Sequence, residues 1–237
     1  MLRAGILADG ELRKGDDGTP QGSICSPVLA NIFAHYCIDQ WIKHEIPKYL
    51  RGNIRLVRYA DDLVIITNKV DAPRIMKAVK GRLARFSLQL NEEKTKMINF
   101  SKPEFNKTNK QEGFNFLGFT IYLGKSKTGR GVVKIKTASK TLSKKLKDFT
   151  TWCKENRGRY RLKELWKTFQ SKVRGHVQYY GISHNMERLQ IFIHNTKKIF
   201  FKWINRRSQR KSFDWVKFNL FMELNPLPKP KIVHRLF

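Results

Sequence analysis

The sequence predicts an α+β fold, and three observations support this prediction. Segments with helical and with strand-like periodicity alternate over roughly the first 137 of the 237 residues. The rest of the chain contains three segments whose apolar residues recur at helical spacing. Hydrophobic residues make up 41% of the chain, which is enough for a substantial core. We therefore expect a mixed region at residues 1–137 and a helical region at residues 138–237.

A helix and a hairpin are the first elements predicted. The segment SPVLANIFAHYCIDQWI has one apolar face, with Ser26 as the expected N-cap and Pro27 in the first turn. The segment NIRLVRYADDLVIITN has β-forming residues on both sides of Asp61 and Asp62. This pattern predicts two strands joined at or near the two aspartates.

A second helix and a second group of strands follow. Residues 72–90 have apolar residues at helical spacing, and residues 112–136 return to strand formers around a glycine-rich turn. The segment GKSKTGRG in that turn lacks the ending of a phosphate-binding loop and the helix that would follow it, so a hairpin turn is favoured.

The region from residue 138 onward is predicted to be helical and basic. The three amphipathic segments run from Leu142 to Cys153, from Leu162 to Val177 and from Leu189 to Trp203. The prolines of NPLPKPKI then predict an extended tail, because proline cannot continue a helix.

The charge balance indicates a polyanionic partner. The chain has 48 Lys and Arg against 19 Asp and Glu, a net charge of +29, and residues 139–237 hold 24 of the former and 6 of the latter. Nucleic acid is the first candidate and an anionic membrane surface the second. No apolar run is long enough to span a membrane and the opening residues lack a signal peptide, so we expect a soluble intracellular protein. Its compartment would be the cytoplasm of a bacterium or an organelle.

The adjacent carboxylates of Asp61 and Asp62 have two interpretations. Aspartate favours turns, so the pair could simply form an exposed hairpin tip. Alternatively, a divalent cation could relieve the repulsion between two neighbouring carboxylates, and Mg²⁺ prefers such hard oxygen ligands. Two Mg²⁺ ions held there could assist an in-line displacement at phosphorus.

Four segments, in order along the chain, resemble reverse transcriptases. RYADDLVI resembles their metal-binding motif in the YADD form of group II intron-encoded proteins. GTPQGSICSPVLANIF resembles the template- and nucleotide-contacting motif, LQLNEEKTKMINF the segment with the motif lysine, and FNFLGFTI the primer-grip hairpin. FQSKVRGHVQYYGISHN and the tail resemble the maturase-specific thumb. The resemblance implies a partial right-hand palm at residues 1–137 and a maturase-specific helical thumb at residues 138–237.

The resemblance also implies a role for each matching residue. Asp61 and Asp62 would bind two Mg²⁺ ions, and Lys94 would act near the pyrophosphate, unless it is only a solvated turn residue. The residues expected to contact the incoming nucleotide or the primer are Gln21, Gly22, Tyr59, Phe116, Leu117 and Gly118. For Phe116 and Leu117, plain core packing is the alternative. His176, in the thumb segment, is expected to be a packing residue whose polar atoms are satisfied.

The family's third catalytic carboxylate and its fingers region have no counterpart ahead of GTPQG. Asp9, Asp16 and Asp17 lie too close to that motif. We therefore expect this chain by itself not to polymerise, and to be a fragment, an internal-start product or half of a split enzyme. Its partners would be intron RNA, an RNA template with a DNA primer, deoxynucleotides if a complete site is assembled, and a separate N-terminal half.

The resemblance implies a second role, binding of intron RNA that assists splicing, and the basic helices give this role a physical basis. Lys and Arg neutralise phosphates, and interleaved aromatic residues can stack on unpaired bases. The candidate RNA-binding residues are Arg174, Lys197, Lys198, Lys202, Arg206, Arg207, Arg210 and Lys211. For any single one of them a solvated helix face is the favoured alternative, but the cluster KWINRRSQRK is hard to explain in that way. Two alternatives to a group II intron reverse transcriptase/maturase are a non-catalytic RNA-binding splicing factor that uses the thumb and, more weakly, a retron or other retroelement enzyme. RGHVQYY and NPLPKPKI argue against the latter.

Overall fold

A computed structural model describes the chain at residues 6–8, 11–13, 25–108, 112–207 and 213–236. The chain divides into two compact units, Met1–Met97 and Ile98–Phe237. Helices and small antiparallel sheets occur in both, so the predicted α+β class is confirmed. No helix in these described ranges is long and apolar enough to cross a membrane.

In the described residues of unit 1, Met1–Met97, there are two hairpins and three α-helices, together with two short turns of other helix types. The elements are β1 (Ile6–Ala8), β2 (Glu11–Arg13), α1 (Ser26–Ala34), a π-helical turn (His35–Asp39), α2 (Gln40–His44), a 3₁₀ turn (Ile46–Tyr49), β3 (Arg55–Tyr59), β4 (Asp62–Ile66) and α3 (Ala72–Ala84). Strand β1 pairs antiparallel with β2, and β3 with β4.

The first predicted helix exists but is not continuous α-helix. A π-helical turn separates α1 from α2, and the Gln40 N–H bonds to the His35 carbonyl five residues earlier. The predicted cap is wrong by one residue. Cys25 is the cap position, without a side-chain cap, because the Leu29 N–H already bonds to the Cys25 carbonyl at 3.0 Å.

The core of unit 1 lies between the π-helical turn with α2 on one side and α3 on the other. Its buried members are Cys37, Ile38, Ile42, Ile46, Ile75, Val79 and Leu83. Leu56 of β3 and Leu63 and Ile65 of β4 pack against this cluster. The hairpin is therefore attached to the core by one face only.

Unit 2, Ile98–Phe237, joins a three-stranded antiparallel sheet to four long helices. The elements are α4 (Lys102–Thr108), β5 (Phe114–Phe116), β6 (Phe119–Lys125), β7 (Gly131–Thr137), α5 (Ser139–Asn156), α6 (Leu162–Tyr180), α7 (Met186–Ile204) and α8 (Trp215–Leu224). The sheet order is β5-β6-β7. The glycine-rich segment is the β6–β7 turn, where the Ser126 N–H donates to the Arg130 carbonyl at 2.8 Å, so the hairpin-turn prediction is confirmed.

The three predicted basic helices are confirmed as α5, α6 and α7, whereas α8 was not predicted. Aromatic side chains dominate the core between them: Phe169, Phe200 and Phe218 are each almost fully buried. The ring of Phe169 stacks on Phe200 with centroids 4.9 Å apart. The apolar faces thus bury together, and the charged faces remain in solvent.

The predicted extended tail is also confirmed. Residues 225–232 have no helix or strand. The Trp166 Nε1–H donates to the Asn225 carbonyl at 3.1 Å, and Gln170 donates to the Pro226 carbonyl at 2.9 Å. The tail therefore runs along α6, where side chains of the helix satisfy its backbone carbonyls.

The predicted boundary between the two regions, at residue 138, differs in position from the division between the two compact units of the structure. In the structure β5, β6 and β7 belong with the helices, and the division comes after Met97. The Thr137 N–H illustrates why, since it donates to the Asn185 side chain in the helical part at 2.7 Å. The palm–thumb boundary after residue 137 remains a prediction.

Candidate metal and nucleic-acid sites

Asp61 and Asp62 lie at the tip of the β3–β4 hairpin, as the sequence predicts. The last strand pair is Tyr59 with Asp62, so Ala60 and Asp61 form the turn. Ala60 has a positive φ of 52°, a conformation that non-glycine residues adopt only when their surroundings hold them there. Both carboxylates are exposed, and Tyr59 is 64% exposed beside them.

The strands around the aspartates are less buried than their composition predicts. Val57 is 48% exposed and Ile66 is 56% exposed, because each lies on the outer face of the hairpin. Water therefore screens the repulsion between the two carboxylates. The two carboxylates therefore do not need a cation to offset burial. What favours metal binding is their chemistry as ligands.

Two exposed carboxylates on adjacent residues suit Mg²⁺, which keeps several waters and takes one or two protein carboxylates. Throughout the described ranges, no group of three or more His, Cys, Asp or Glu side chains is placed to hold a metal. Asp61 and Asp62 can thus supply part of a coordination shell, and substrate phosphates or further carboxylates would supply the remainder.

Arg58, three residues before Asp61, connects the hairpin to the helical segment below it. Its Nε and one terminal nitrogen donate to the two carboxylate oxygens of Asp39, each at 2.7 Å. Its other terminal nitrogen donates to the Asn31 side chain and to the Ala60 carbonyl, both at 2.9 Å. These hydrogen bonds lower the pKa of Asp39 and raise the pKa of Arg58.

The other residues predicted for the polymerase site are divided between the described and undescribed parts of the chain. Lys94 lies in an exposed turn, where its N–H donates to the Asn91 side chain at 3.1 Å. Gln21 and Gly22 lie outside the described residues. Phe116, Leu117 and Gly118 lie where β5 turns into β6.

The turn at Leu117 and Gly118 has a specific conformation. The φ angles of both residues are positive, 49° and 80°, as in a two-residue type I′ hairpin. The Tyr179 hydroxyl donates to the Leu117 carbonyl at 3.2 Å, and the Ala138 N–H donates to the Gly118 carbonyl at 3.0 Å. Sequence analysis missed Tyr179 as a support of this turn, although the paired tyrosines of RGHVQYYG were a visible signal.

The described cations among those predicted to bind RNA lie on α6, on α7 and at Arg206 and Arg207 just after α7. Arg174, Lys198, Lys202, Arg206 and Arg207 are exposed, Lys197 is half-buried, and Arg210 and Lys211 lie outside the described residues. The guanidinium groups of Arg157 and Arg206 lie 4.9 Å and 5.3 Å from the centre of the Trp203 ring. Arg207 donates to the Tyr160 carbonyl at 2.9 Å. Aromatic residues and cations are therefore interleaved on this face.

His176 packs in the core of unit 2. Its ring lies parallel to Phe192 with centroids 3.5 Å apart, and burial, assisted by the charge of Lys145, lowers its pKa from 6.5 to about 4. The histidine is therefore neutral at pH 7. Its packing role is confirmed, but the expectation that its polar atoms are satisfied is wrong, because the buried Nε2 has no hydrogen-bond partner among the described residues.

Comparison with known proteins relates part of this chain to a described family. Residues 7–121 match the family described as reverse transcriptase (RNA-dependent DNA polymerase). That span includes the Asp61–Asp62 hairpin and the turn at Leu117 and Gly118.

Individual relatives extend the similarity beyond that span. Group II intron-encoded protein LtrA of Lactococcus lactis subsp. cremoris is 25% identical over 81% of this chain and 44% of LtrA. Protein YkfC of Escherichia coli K12 is 29% identical over 54% of this chain and 38% of YkfC. An uncharacterized 91 kDa protein in the cob intron of Schizosaccharomyces pombe is 22% identical over 81% of this chain and 31% of its own length.

The chain spans less than half the length of each of these relatives. The matched reverse transcriptase segment and the relationship to LtrA nevertheless agree with the motifs seen in the sequence. Together they support the interpretation of this chain as part of a group II intron reverse transcriptase/maturase.

Proposed function

We propose that the chain forms part of an RNA-directed DNA polymerase encoded by a group II intron, with a palm at residues 1–137 and a thumb at residues 138–237. The observation that carries the proposal is the exposed Asp61–Asp62 pair at a hairpin tip, inside the segment that matches reverse transcriptases. An exposed tip is open to a primer end and a nucleotide, as the chemistry requires.

The proposed chemistry is transfer of a nucleotide to a primer 3′-hydroxyl. Bound Mg²⁺ would favour ionisation of that hydroxyl and stabilise the departing pyrophosphate. Asp61 and Asp62 would hold the ions with their carboxylates, and Tyr59 would lie beside the primer end. Lys94 would donate a proton near the pyrophosphate. Gln21 and Gly22, outside the described residues, keep the predicted role of contacting the incoming nucleotide.

Residues of unit 2 would hold the primer in this proposal. Phe116, Leu117 and Gly118 form a tight turn whose two carbonyls are fixed by Tyr179 and Ala138. A turn fixed in this way can support a nucleic-acid strand with little loss of entropy on binding.

Primer extension tests the polymerase proposal. The purified chain would be mixed with the fingers part of a full-length family member, an RNA template, a DNA primer, deoxynucleotides and Mg²⁺. We expect Mg²⁺-dependent cDNA that Asp61→Asn or Asp62→Asn reduces to background, while the exposed control Asp148→Asn leaves the yield unchanged. Extension that survives Asp61→Asn would contradict the assignment.

We further propose that the basic helices bind intron RNA and thereby assist splicing. The supporting observation is that the guanidinium groups of Arg157 and Arg206 pack against the half-buried Trp203 ring, next to the exposed Arg207 and Tyr160. The guanidinium groups offer charge for phosphates, and the Tyr160 ring offers a surface for an unpaired base. If RNA binding is the whole function, the chain is a non-catalytic splicing factor, and Asp61→Asn leaves splicing assistance intact.

The salt dependence of RNA affinity tests this second role. Replacing Arg206 and Arg207 with Gln should weaken binding of the whole chain to a group II intron RNA and reduce the slope of log affinity against log salt by about two. Replacing Lys69 and Lys77 with Gln removes the same charge from unit 1 and is the control. Equal slopes for the two double variants would exclude this face as the contact surface.

A further inference from the structure

Arg58 makes more specific contacts than a packing role requires. It is largely buried, with 11% of its side chain exposed, and it bonds to three separate places: the carboxylate of Asp39, the side chain of Asn31 and the carbonyl of Ala60. Only a guanidinium can reach all of these at once, because its donors are fixed in one plane. Arg58 therefore links helix α1, the π-helical turn and the hairpin tip.

The contact with Ala60 is the one that reaches the candidate site. Ala60 precedes Asp61 and has the positive φ of 52° that lets the chain reverse direction there. Because a non-glycine residue is strained in this conformation, the turn needs an external contact to keep it. The hydrogen bond from Arg58 to the Ala60 carbonyl, 2.9 Å long, is such a contact.

The partner of Arg58 is itself fixed in place. Asp39 is the last residue of the π-helical turn, where the helix holds an extra residue and the side chains that follow are rotated. From α3, the Arg82 Nε–H donates to the Cys37 carbonyl within the same turn at 3.0 Å. The His35 ring lies 3.3 Å from the Asp39 carboxylate. The π-helical turn thus presents Asp39 to Arg58 in a defined position.

We propose that Arg58 is a positioning residue that, held by Asp39, sets the geometry of the turn carrying Asp61 and Asp62 and so prepares the two carboxylates for a divalent cation. This inference rests on the proposed function, since it assumes that the pair binds metal. Groups that orient metal ligands contribute to affinity without touching the ion. No contact of Arg58 with substrate is involved.

Cleavage of the protein backbone by bound iron tests the proposal without relying on polymerase activity. Fe²⁺ replacing Mg²⁺ at the site, with ascorbate and peroxide, produces hydroxyl radicals that cut the chain near the ion. The whole chain would be titrated with Fe²⁺, and cuts at residues 59–63 would be measured by mass spectrometry. Asp61→Asn is the control for the metal site itself.

The variants separate positioning from stability. Arg58→Lys keeps the positive charge but loses the planar set of guanidinium donors. Asp39→Asn keeps the shape of the side chain but loses its negative charge. We expect each to raise the Fe²⁺ concentration for half-maximal cleavage by about tenfold, as outer-shell changes do. Asn31→Ala removes only one hydrogen-bond acceptor of Arg58. This variant should still fold, and its effect on the Fe²⁺ titration should be smaller. Arg55→Lys, on an exposed residue of the same strand, should leave the titration unchanged.

The possible results distinguish a positioning role of Arg58 from a purely structural one. If Arg58→Lys and Asp39→Asn lower the unfolding temperature but leave the Fe²⁺ titration at its original midpoint, Arg58 is structural only and the proposal is overturned. If the unaltered chain is cut at residues 59–63 and Asp61→Asn prevents this, the metal site stands whatever the Arg58 variants do. Absence of those cuts in the unaltered chain would overturn the metal site and, with it, the positioning role.

Discussion

The two units of this chain are stabilised in different ways. In unit 2, aromatic rings from α5, α6, α7 and α8 fill a common core, and Phe169 alone contacts Phe149, Trp166 and Phe200. Unit 1 has a smaller aliphatic core, and polar contacts from Arg58 fix its hairpin tip. Packing therefore secures the candidate RNA-binding face, whereas hydrogen bonds secure the candidate metal site.

The largest expected effect follows from the core of unit 2. Phe169 is fully buried, so Phe169→Ala removes ring contacts and leaves a cavity, which should cost about 3–5 kcal/mol of unfolding free energy. Denaturant unfolding followed by tryptophan fluorescence measures it. Leu220→Ala in α8, where the side chain is 57% exposed, is the control and should change the unfolding free energy little. A loss below about 1 kcal/mol for Phe169→Ala would show that the core is not tightly packed.

A pH effect should come next in size, again from unit 2. Burial lowers the pKa of His176 to about 4 in the folded chain, compared with 6.5 in the unfolded chain. Between pH 4 and pH 6.5, His176 therefore binds a proton in the unfolded chain that it does not bind in the folded chain. The stabilisation from keeping His176 neutral is complete above pH 6.5 and is lost as the pH falls towards 4, by about 3 kcal/mol in all.

Unfolding curves at pH 7.5 and pH 4.5 test this pH effect. His176→Phe should reduce the difference between the two curves, because phenylalanine cannot take up a proton. His194→Gln, an exposed histidine on α7, should leave the difference in place. If His176→Phe retains the full pH dependence, another group is responsible.

A smaller effect is expected from a polar contact in unit 1. The buried carboxylate of Asp71 accepts hydrogen bonds from the backbone N–H groups of Arg51 and Gly52 at 3.1 Å and 3.2 Å, and from Asn68 at 2.7 Å. Asp71→Ala leaves these donors without a partner, which should cost about 1–3 kcal/mol.

Hydrogen exchange read separately in each unit measures the effect of Asp71→Ala. Protection should fall in Met1–Met97 and stay the same in Ile98–Phe237. Glu92→Ala, which breaks only an exposed ion pair with Lys80, should change neither. An equal loss of protection in both units would contradict the separate stabilisation of the two parts.

Local periodicity explains which features the sequence could predict. The three basic helices, the aspartate hairpin and the extended tail each have a pattern in neighbouring residues. The π-helical turn has none, because it adds one residue to a helix without changing its apolar composition. The pairing of Arg58 with Asp39 joins residues 19 apart in sequence, and the positive φ of Leu117 depends on contacts from α6. Tertiary contacts decide these features, and no short pattern records them.

Divalent-cation binding by Asp61 and Asp62 at the tip of the β3–β4 hairpin is the property on which the proposed polymerase role depends. The most direct measurement is a titration of the isotope-labelled chain with paramagnetic Mn²⁺, followed by the loss of amide NMR signals. We predict that signals of residues 59–63 broaden first, that excess Mg²⁺ restores them, and that Asp61→Asn prevents the broadening. Signals at residues 59–63 that remain sharp while others broaden, or that broaden equally in the Asp61→Asn variant, would contradict the account.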